Sequence, residues 1–373
     1  MKAALLPLDD RPYNLSFVQG LADLGGIELI TPPEGAIGYF FSPGSPPALA
    51  SWLLNLPEDV EAVIVAVDML TCGGLLASRS EEITTAAALE RLSTLVRLRE
   101  ERPDLLVLAF DTIIRTSLSA RDPESRRVHR LLHRWTSLAA RAEEAPDDAV
   151  RTELHEVSAA IPPAVLERYL GVRARKHAVN RAAVELVGDG VIDVLHLLME
   201  DVGPGGDRYG VHKHEQNALR ELARSLAVSE RIALHNGTDE GACVLLALLA
   251  NTRSEGSRTL RFLSVYSATD GASQIPTFED RSFGENLGSF VRAVGAELTD
   301  DPAAADAVLA VHSPYGAAPD LAGFTGKLVH YVSSGMPVAL IDTTTNCADP
   351  ELMERLRTRM RLDDLAAFSA WNT

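Results

Sequence analysis

The sequence predicts an α/β protein of mostly parallel sheets, arranged as two Rossmann-like halves with a helical insertion. Three observations carry this reading. Short apolar runs of strand length recur along the 373 residues, each followed by turn residues and then by helical spacing. One long stretch breaks that alternation with helix-forming residues alone. The layout near the start also returns near the end.

About nine apolar runs read as strands: Ala3 to Leu8, Ile27 to Thr31, Ala62 to Val67, Leu105 to Phe110, Val191 to Met199, Arg231 to His235, Leu260 to Tyr266, Ala307 to Val311 and Pro337 to Ile341. Residues 119–190 are rich in Arg, Glu, Ala and Leu and hold no convincing strand. Their charges read first as a solvated face, with Arg173, Arg175 and Arg181 able to reach a neighbouring site. In the first half a strand ends at Asp9-Asp10, then come a helix through Leu21, Gly25-Gly26, a short strand, and strands ending at Asp68 and Asp111. In the second half a strand closes at Tyr266, then come a helix at 285–294, Gly295, a short strand at 297–299, and strands closing at Val311 and Asp342. The expected division is therefore 1–118, 119–190 and 191–373. A TIM-like barrel with one helical insertion accounts for nearly the same strands and stands as the alternative.

Composition bounds the function. A net charge of −17 repels nucleic acid and anionic membrane surfaces over most of the exterior. No apolar run is long enough to cross a bilayer, and the amino terminus lacks signal-peptide layout, so a cytoplasmic protein is expected. Cys72, Cys243 and Cys347 are far apart, which fits a reducing compartment better than a disulfide framework.

Ligands of parallel α/β folds bind beyond the carboxyl ends of the strands. Read there, the sequence gives Asp9, Asp10 and Arg11; Asp68, followed by Arg79; Asp111 and Arg115; Glu200 and Asp201; His235, Asn236, Asp239 and Glu240; Asp270; His312; and Asp342 with Asn346. A single acid after a strand is usually a helix cap or turn residue. Three adjacent acid pairs are more than capping requires, because clustered carboxylates repel unless a proton or cation is shared. One use is general acid/base hydrolysis of a glycoside. Another is Mg²⁺ or Mn²⁺ held for hydrolysis of a phosphate or amide. The arginines either pair with these acids or grip an anionic substrate group.

Other motifs argue against familiar chemistries. His212 and His214 diverge on a helix and do not make a zinc pair. Gly203, Gly205 and Gly206 lack the order of a dinucleotide loop, so no nicotinamide cofactor is expected. Cys72, in Thr71-Cys72-Gly73-Gly74, reads as a small turn residue; the two glycines signal close backbone approach.

PLDDRPYN (7–14), VDMLTCGGLLASR (67–79), FDTIIR (110–115), Glu200-Asp201 with Gly210 and Glu215, NGTDEG (236–241) and FED (278–280), which contains Glu279 and Asp280, together resemble a bacterial family of unknown function. Its members begin with a Pro-Leu-Asp-Asp-Arg-Pro strand end, and the resemblance runs over nearly the whole chain. The company these proteins keep implies carbohydrate utilisation. The family usually has Asp-Asp where this chain has Glu200-Asp201, and members tend to continue past the segment at Trp371-Asn372-Thr373. The expectation is a sugar or glycoside hydrolase, with Asp201, Asp239, Glu240 and Glu200 catalytic. Asp9, Asp10, Arg11, Asp68, Arg79, Asp111, Arg115, His235, Asn236, Glu279 and Asp280 are expected to bind a small-molecule or oligosaccharide substrate. No resident cofactor is expected beyond Mg²⁺ or Mn²⁺ in the metal-dependent alternative. A third possibility is a two-lobed sugar-binding or sensing protein without catalysis.

Overall fold

The computed structural model describes residues 1–117, 123–144, 147–202, 210–253, 258–344 and 348–370. Gly203, Gly205, Gly206, Asn346, Cys347 and the last three residues lie outside them. Two compact units emerge: 1–250 with 277–280, and 251–276 with 281–373.

The first unit carries one parallel six-stranded sheet in the order β2-β1-β3-β4-β5-β6. Its strands are β1 (Lys2–Leu6), β2 (Glu28–Ile30), β3 (Ala62–Ala66), β4 (Leu106–Ile113), β5 (Val194–Met199) and β6 (Ile232–Asn236). Strand β3 is apolar and buried at every position, because parallel strands are covered on both faces. The helices between them are α1 (Ser16–Leu24), α2 (Glu34–Ile37), α3 (Pro46–Leu54), α4 (Val67–Cys72), α5 (Thr85–Leu92) and α6 (Thr94–Glu101). Three more, α7 (Pro123–Glu144), α8 (Asp148–Ala160) and α9 (Pro163–Gly188), form the crossover from β4 to β5. Then α10 (Val211–Ser225) joins β5 to β6, and α11 (Gly241–Arg253) follows β6. Side chains of β1, β3, β4 and β5, among them Leu5, Ile64, Leu108 and Leu197, build the core with Leu53, Val184 and Leu245 from the helices.

In the second unit a parallel sheet runs β8-β7-β9-β10-β11. It contains β7 (Arg261–Tyr266), β8 (Glu297–Thr299), β9 (Ala307–His312), β10 (Val338–Asp342) and β11 (Ala367–Ala370), with α12 (Phe283–Ala293), α13 (Leu321–Ser333) and α14 (Pro350–Arg357). Leu263, Val308, Leu340, Phe324 and Leu352 fill its core. Both sheets thus begin second-first-third-fourth in chain order, the doubly wound Rossmann-like pattern, with the switch of direction after the first strand. The repeated layout is real, and the barrel alternative is replaced by two open sheets.

The division expected at residue 191 is not where the units part. Strand β5 pairs with β4, and β6 with β5, so residues 191–250 complete the first sheet. The helical insertion is a long crossover between two adjacent strands, and the chain returns to the sheet it left. It is also no solvated appendage: Arg173, Arg175 and Lys176 on α9 are all buried.

A candidate active-site cleft

The loops at the carboxyl edge of the first sheet surround an open cleft of about 360 Å³. Asp9, Asp10, Arg11, Phe40, Phe41, Gly73, Gly74, Arg79, Arg115, Asp201, Thr238 and Asp239 contribute to its lining. Loops following five of the six strands supply the charged groups. Seven residues predicted from strand ends are therefore brought to one place, as a switch point between β1 and β3 requires.

Arg11 organises the floor. Its Nε donates to Asp9 Oδ2 at 2.8 Å, and its two terminal nitrogens grip both carboxylate oxygens of Asp239, one at 2.9 Å. Planar fork-to-carboxylate pairing fixes orientation as well as charge. Burial lowers the Arg11 pKa, but the Asp9 and Asp239 carboxylates outweigh it and the net shift is upward. Asn14, buried, donates to Asp9 Oδ1 at 2.7 Å and closes the turn. Asp10 accepts the Phe40 backbone N–H at 3.0 Å, which ties the Phe40–Phe41 loop to the end of β1.

The opposite wall has two further ion pairs. Arg115 reaches Asp201 Oδ2 at 3.0 Å, and the Asp201 side chain remains 53% exposed. Arg79 donates to Glu200 Oε2 at 2.6 Å. Glu200 is buried, and its Oε1 has no hydrogen-bond partner among the described residues. Sequence neighbours in the Glu200-Asp201 pair thus differ: one points into protein beside Arg79, the other lines the cleft.

Glu240 is partly buried and folds back onto its own turn, accepting the Thr238 N–H at 3.0 Å. Burial raises its pKa, and the neighbouring Asp239 charge adds to the rise. It belongs to the support of the cleft and not to its lining.

Asp68 and Asp111 do not reach the cleft. Both are fully buried, and Lys176 Nζ from α9 donates to Asp68 at 2.6 Å and to Asp111 at 2.7 Å. Asn180 donates to the second Asp111 oxygen at 2.6 Å, and Thr112 serves Asp68 through its hydroxyl and its N–H. Burial pushes Asp111 up to about 7 despite the ammonium, whereas Lys176 and the Thr112 bonds outweigh burial at Asp68 and lower it. This network fastens the long crossover to the sheet.

Asn236 and Asp280 belong to a second polar cluster. Asp280 accepts from Asn236 at 3.0 Å, Gln216 at 2.8 Å and Lys213 at 2.6 Å. Burial would raise its pKa, but His212 and Lys213 hold it far below the usual carboxylate range. Glu279 is buried beside it in sequence, and His235 is buried with its ring 5.4 Å from that of His196. In the second unit the strand-end residues Asp342 and His312 serve their own turns: Asp342 accepts the Thr344 and Asp349 N–H groups, and His312 bridges Ser267 and Asp349.

Two contributors carried no sequence signal. Phe40 and Phe41, 61% and 49% exposed, sit in a loop far from any strand end. Arg175 donates to the carbonyls of Ser78, Ser80 and Ile83, and so shapes the segment that carries Arg79. Gly73 has φ +87°, and a Cβ there would stand 2.7 Å from the Gly44 carbonyl oxygen. The close approach signalled by Gly73 and Gly74 is to another stretch of backbone as well as to the cleft. Cys72 is buried, and burial raises its thiol pKa; it is the last residue of α4, and the turn expected there falls on Gly73 instead. Among the described residues, no group of three or more His, Cys, Asp or Glu side chains is placed to hold a metal ion, and no helix is long and apolar enough to cross a membrane.

Fold and cleft define a doubly wound α/β protein with an arginine-ordered acidic site at its sheet edge. The chain belongs to the family described as "Protein of unknown function (DUF4127)", whose model matches residues 3–373. No curated protein matches it.

Proposed function

We propose that this protein is a hydrolase acting on a sugar or glycoside, with the cleft of the first unit as its active site. The observation that carries the reading is the joint lining of that cleft by carboxylates from three loops and by the two exposed phenyl rings of Phe40 and Phe41. A sugar ring presents C–H groups on its faces and hydroxyls at its rim. Aromatic rings suit the first, and ionised side chains on fixed loops suit the second.

Asp201 is the acid/base. Its carboxylate is half exposed, and Arg115 touches it through one terminal nitrogen. From that position it can donate a proton to the glycosidic oxygen of a bound sugar. Asp239 is the opposing charge. Held on both oxygens by Arg11, it faces the positive charge that develops at the anomeric carbon. Asp9, Asp10 and Arg11 form the floor, and Glu200 and Glu240 support the two acids from behind.

The metal-dependent reading has less support, because guanidinium groups already occupy the cation positions beside Asp9, Asp239, Asp201 and Glu200. A panel of aryl glycosides, assayed with and without chelator, separates the readings. Hydrolysis that survives chelator and disappears in Asp201→Asn supports the proposal. Chelator-sensitive hydrolysis restored by Mn²⁺ supports the metal reading. Saturable binding of an intact glycan with no product supports a binding protein.

A further inference from the structure

Helix α7 carries a feature that the cleft does not use. His129 and His133 stand one turn apart, at the i, i+4 spacing that puts two side chains on one face of a helix. Their rings meet edge to face, with centroids 4.6 Å apart and planes at 80°. Both present the same atom to the same point: Nε2 of His133 lies 3.1 Å from Nε2 of His129. Two imidazole nitrogens about 2.0–2.1 Å from a shared tetrahedral cation would lie little more than 3 Å apart, so the pair needs only a small opening to take one. The outer nitrogen of His133 is also fixed. Nδ1 lies 2.6 Å from the hydroxyl of Thr116, which is itself buried. A hydroxyl that accepts Nδ1–H leaves Nε2 bare and holds the ring in place, the service that outer partners give a metal-bound histidine. Both histidines are only partly buried, and waters would complete the coordination of an ion held between them.

We propose that His129 and His133 form a two-histidine site for a borderline divalent transition cation of the Zn²⁺ class, buttressed by Thr116. Imidazole donors select Zn²⁺, Co²⁺, Ni²⁺ or Cu²⁺ over Mg²⁺ and Mn²⁺, which prefer oxygen. The site is separate from the Mg²⁺ or Mn²⁺ alternative for the cleft, and it does not depend on the glycosidase reading. It is nevertheless close to the cleft wall along the chain. Thr116 follows Arg115, the partner of Asp201, and the Thr116 N–H donates to the Asp201 carbonyl oxygen at 3.2 Å.

The test is titration of the full, tag-free chain with ZnCl₂ by calorimetry, and with CoCl₂ by visible absorption. The same titrations are run on His129→Ala/His133→Ala and on Thr116→Val and Thr116→Ser. The expected result is one saturable site per chain that the double variant lacks. Thr116→Val weakens it about tenfold, and Thr116→Ser keeps it near the wild-type affinity. Thermal melts of the metal-free proteins check that each variant is folded. If the wild type shows no saturable site, or the double variant binds with unchanged affinity and stoichiometry, the two rings share only an N–H···N hydrogen bond and the proposal fails.

Discussion

Lys176→Met tests the separation between residues that hold the first unit together and residues that line its cleft. The ammonium lies between Asp68 and Asp111 at 2.6 and 2.7 Å, and all three groups are buried. Methionine matches the lysine stem in volume, so packing is nearly conserved and the loss is electrostatic. Removing one partner of a buried ion pair costs about 3–5 kcal/mol, because the charge left behind keeps its desolvation penalty. In a unit of this size that corresponds to a fall in Tm of roughly 6–20 °C. Asp111 limits the damage at low pH, since its pKa already stands at about 7 and it takes up a proton readily. The cost is therefore smaller at pH 5 than at pH 8, and adding Asp111→Asn restores part of it. Urea unfolding followed by circular dichroism at the two pH values measures this. A change below about 1 kcal/mol at pH 8 would refute the claim that the lysine balances two buried carboxylates.

Three further outcomes follow from the same geometry. Asp111 has a raised pKa in the folded state, so the folded chain binds the extra proton between about pH 4 and pH 7 and stability drains away as pH rises through that window; Asp111→Asn should abolish this group's contribution to the slope, and an unchanged stability–pH profile would contradict it. Phe40→Ala, at an exposed ring, should alter stability by no more than about 0.5 kcal/mol while weakening glycan binding measured by calorimetry; unchanged affinity would remove the aromatic wall from the account. Gly73→Ala forces a Cβ against the Gly44 carbonyl at positive φ, so it should cost more than about 1 kcal/mol in a thermal melt and disturb the cleft loop.

Much of this was legible in the chain, and the remainder was hidden for physical reasons. Buried parallel strands announce themselves as continuous apolar runs, so nine of the eleven strands among the described residues stood out as runs, and a tenth, Glu297–Thr299, emerged from the repeated layout. Strand β11, AFSA at a sheet edge and exposed throughout, has no such run to show. The carboxyl-edge rule picked out Asp9, Asp10, Arg11, Arg79, Arg115, Asp201 and Asp239, which line one cleft. It also promoted Asp68 and Asp111, because nothing in their own segments reveals a lysine arriving from a helix 108 and 65 residues further on. That lysine lay in a stretch read as a solvated face, where charge count outvoted position; α9 is buried at Val172, Lys176, Val179 and Ala183, which recur at helical spacing. The unit boundary was misplaced for a related reason. A crossover of three helices looks like a domain end until β5 is seen beside β4. His129 and His133 could have been found from their spacing alone.

In the proposed glycosidase, Asp201 performs chemistry in the cleft and does not merely finish a turn. Steady-state hydrolysis of the best aryl glycoside by Asp201→Asn, read beside the melting temperature of the same sample, tests it most directly. The expected result is a loss in kcat of at least about a hundredfold with Tm essentially unmoved. Undiminished turnover, or a collapse of Tm with activity per folded molecule preserved, would contradict it.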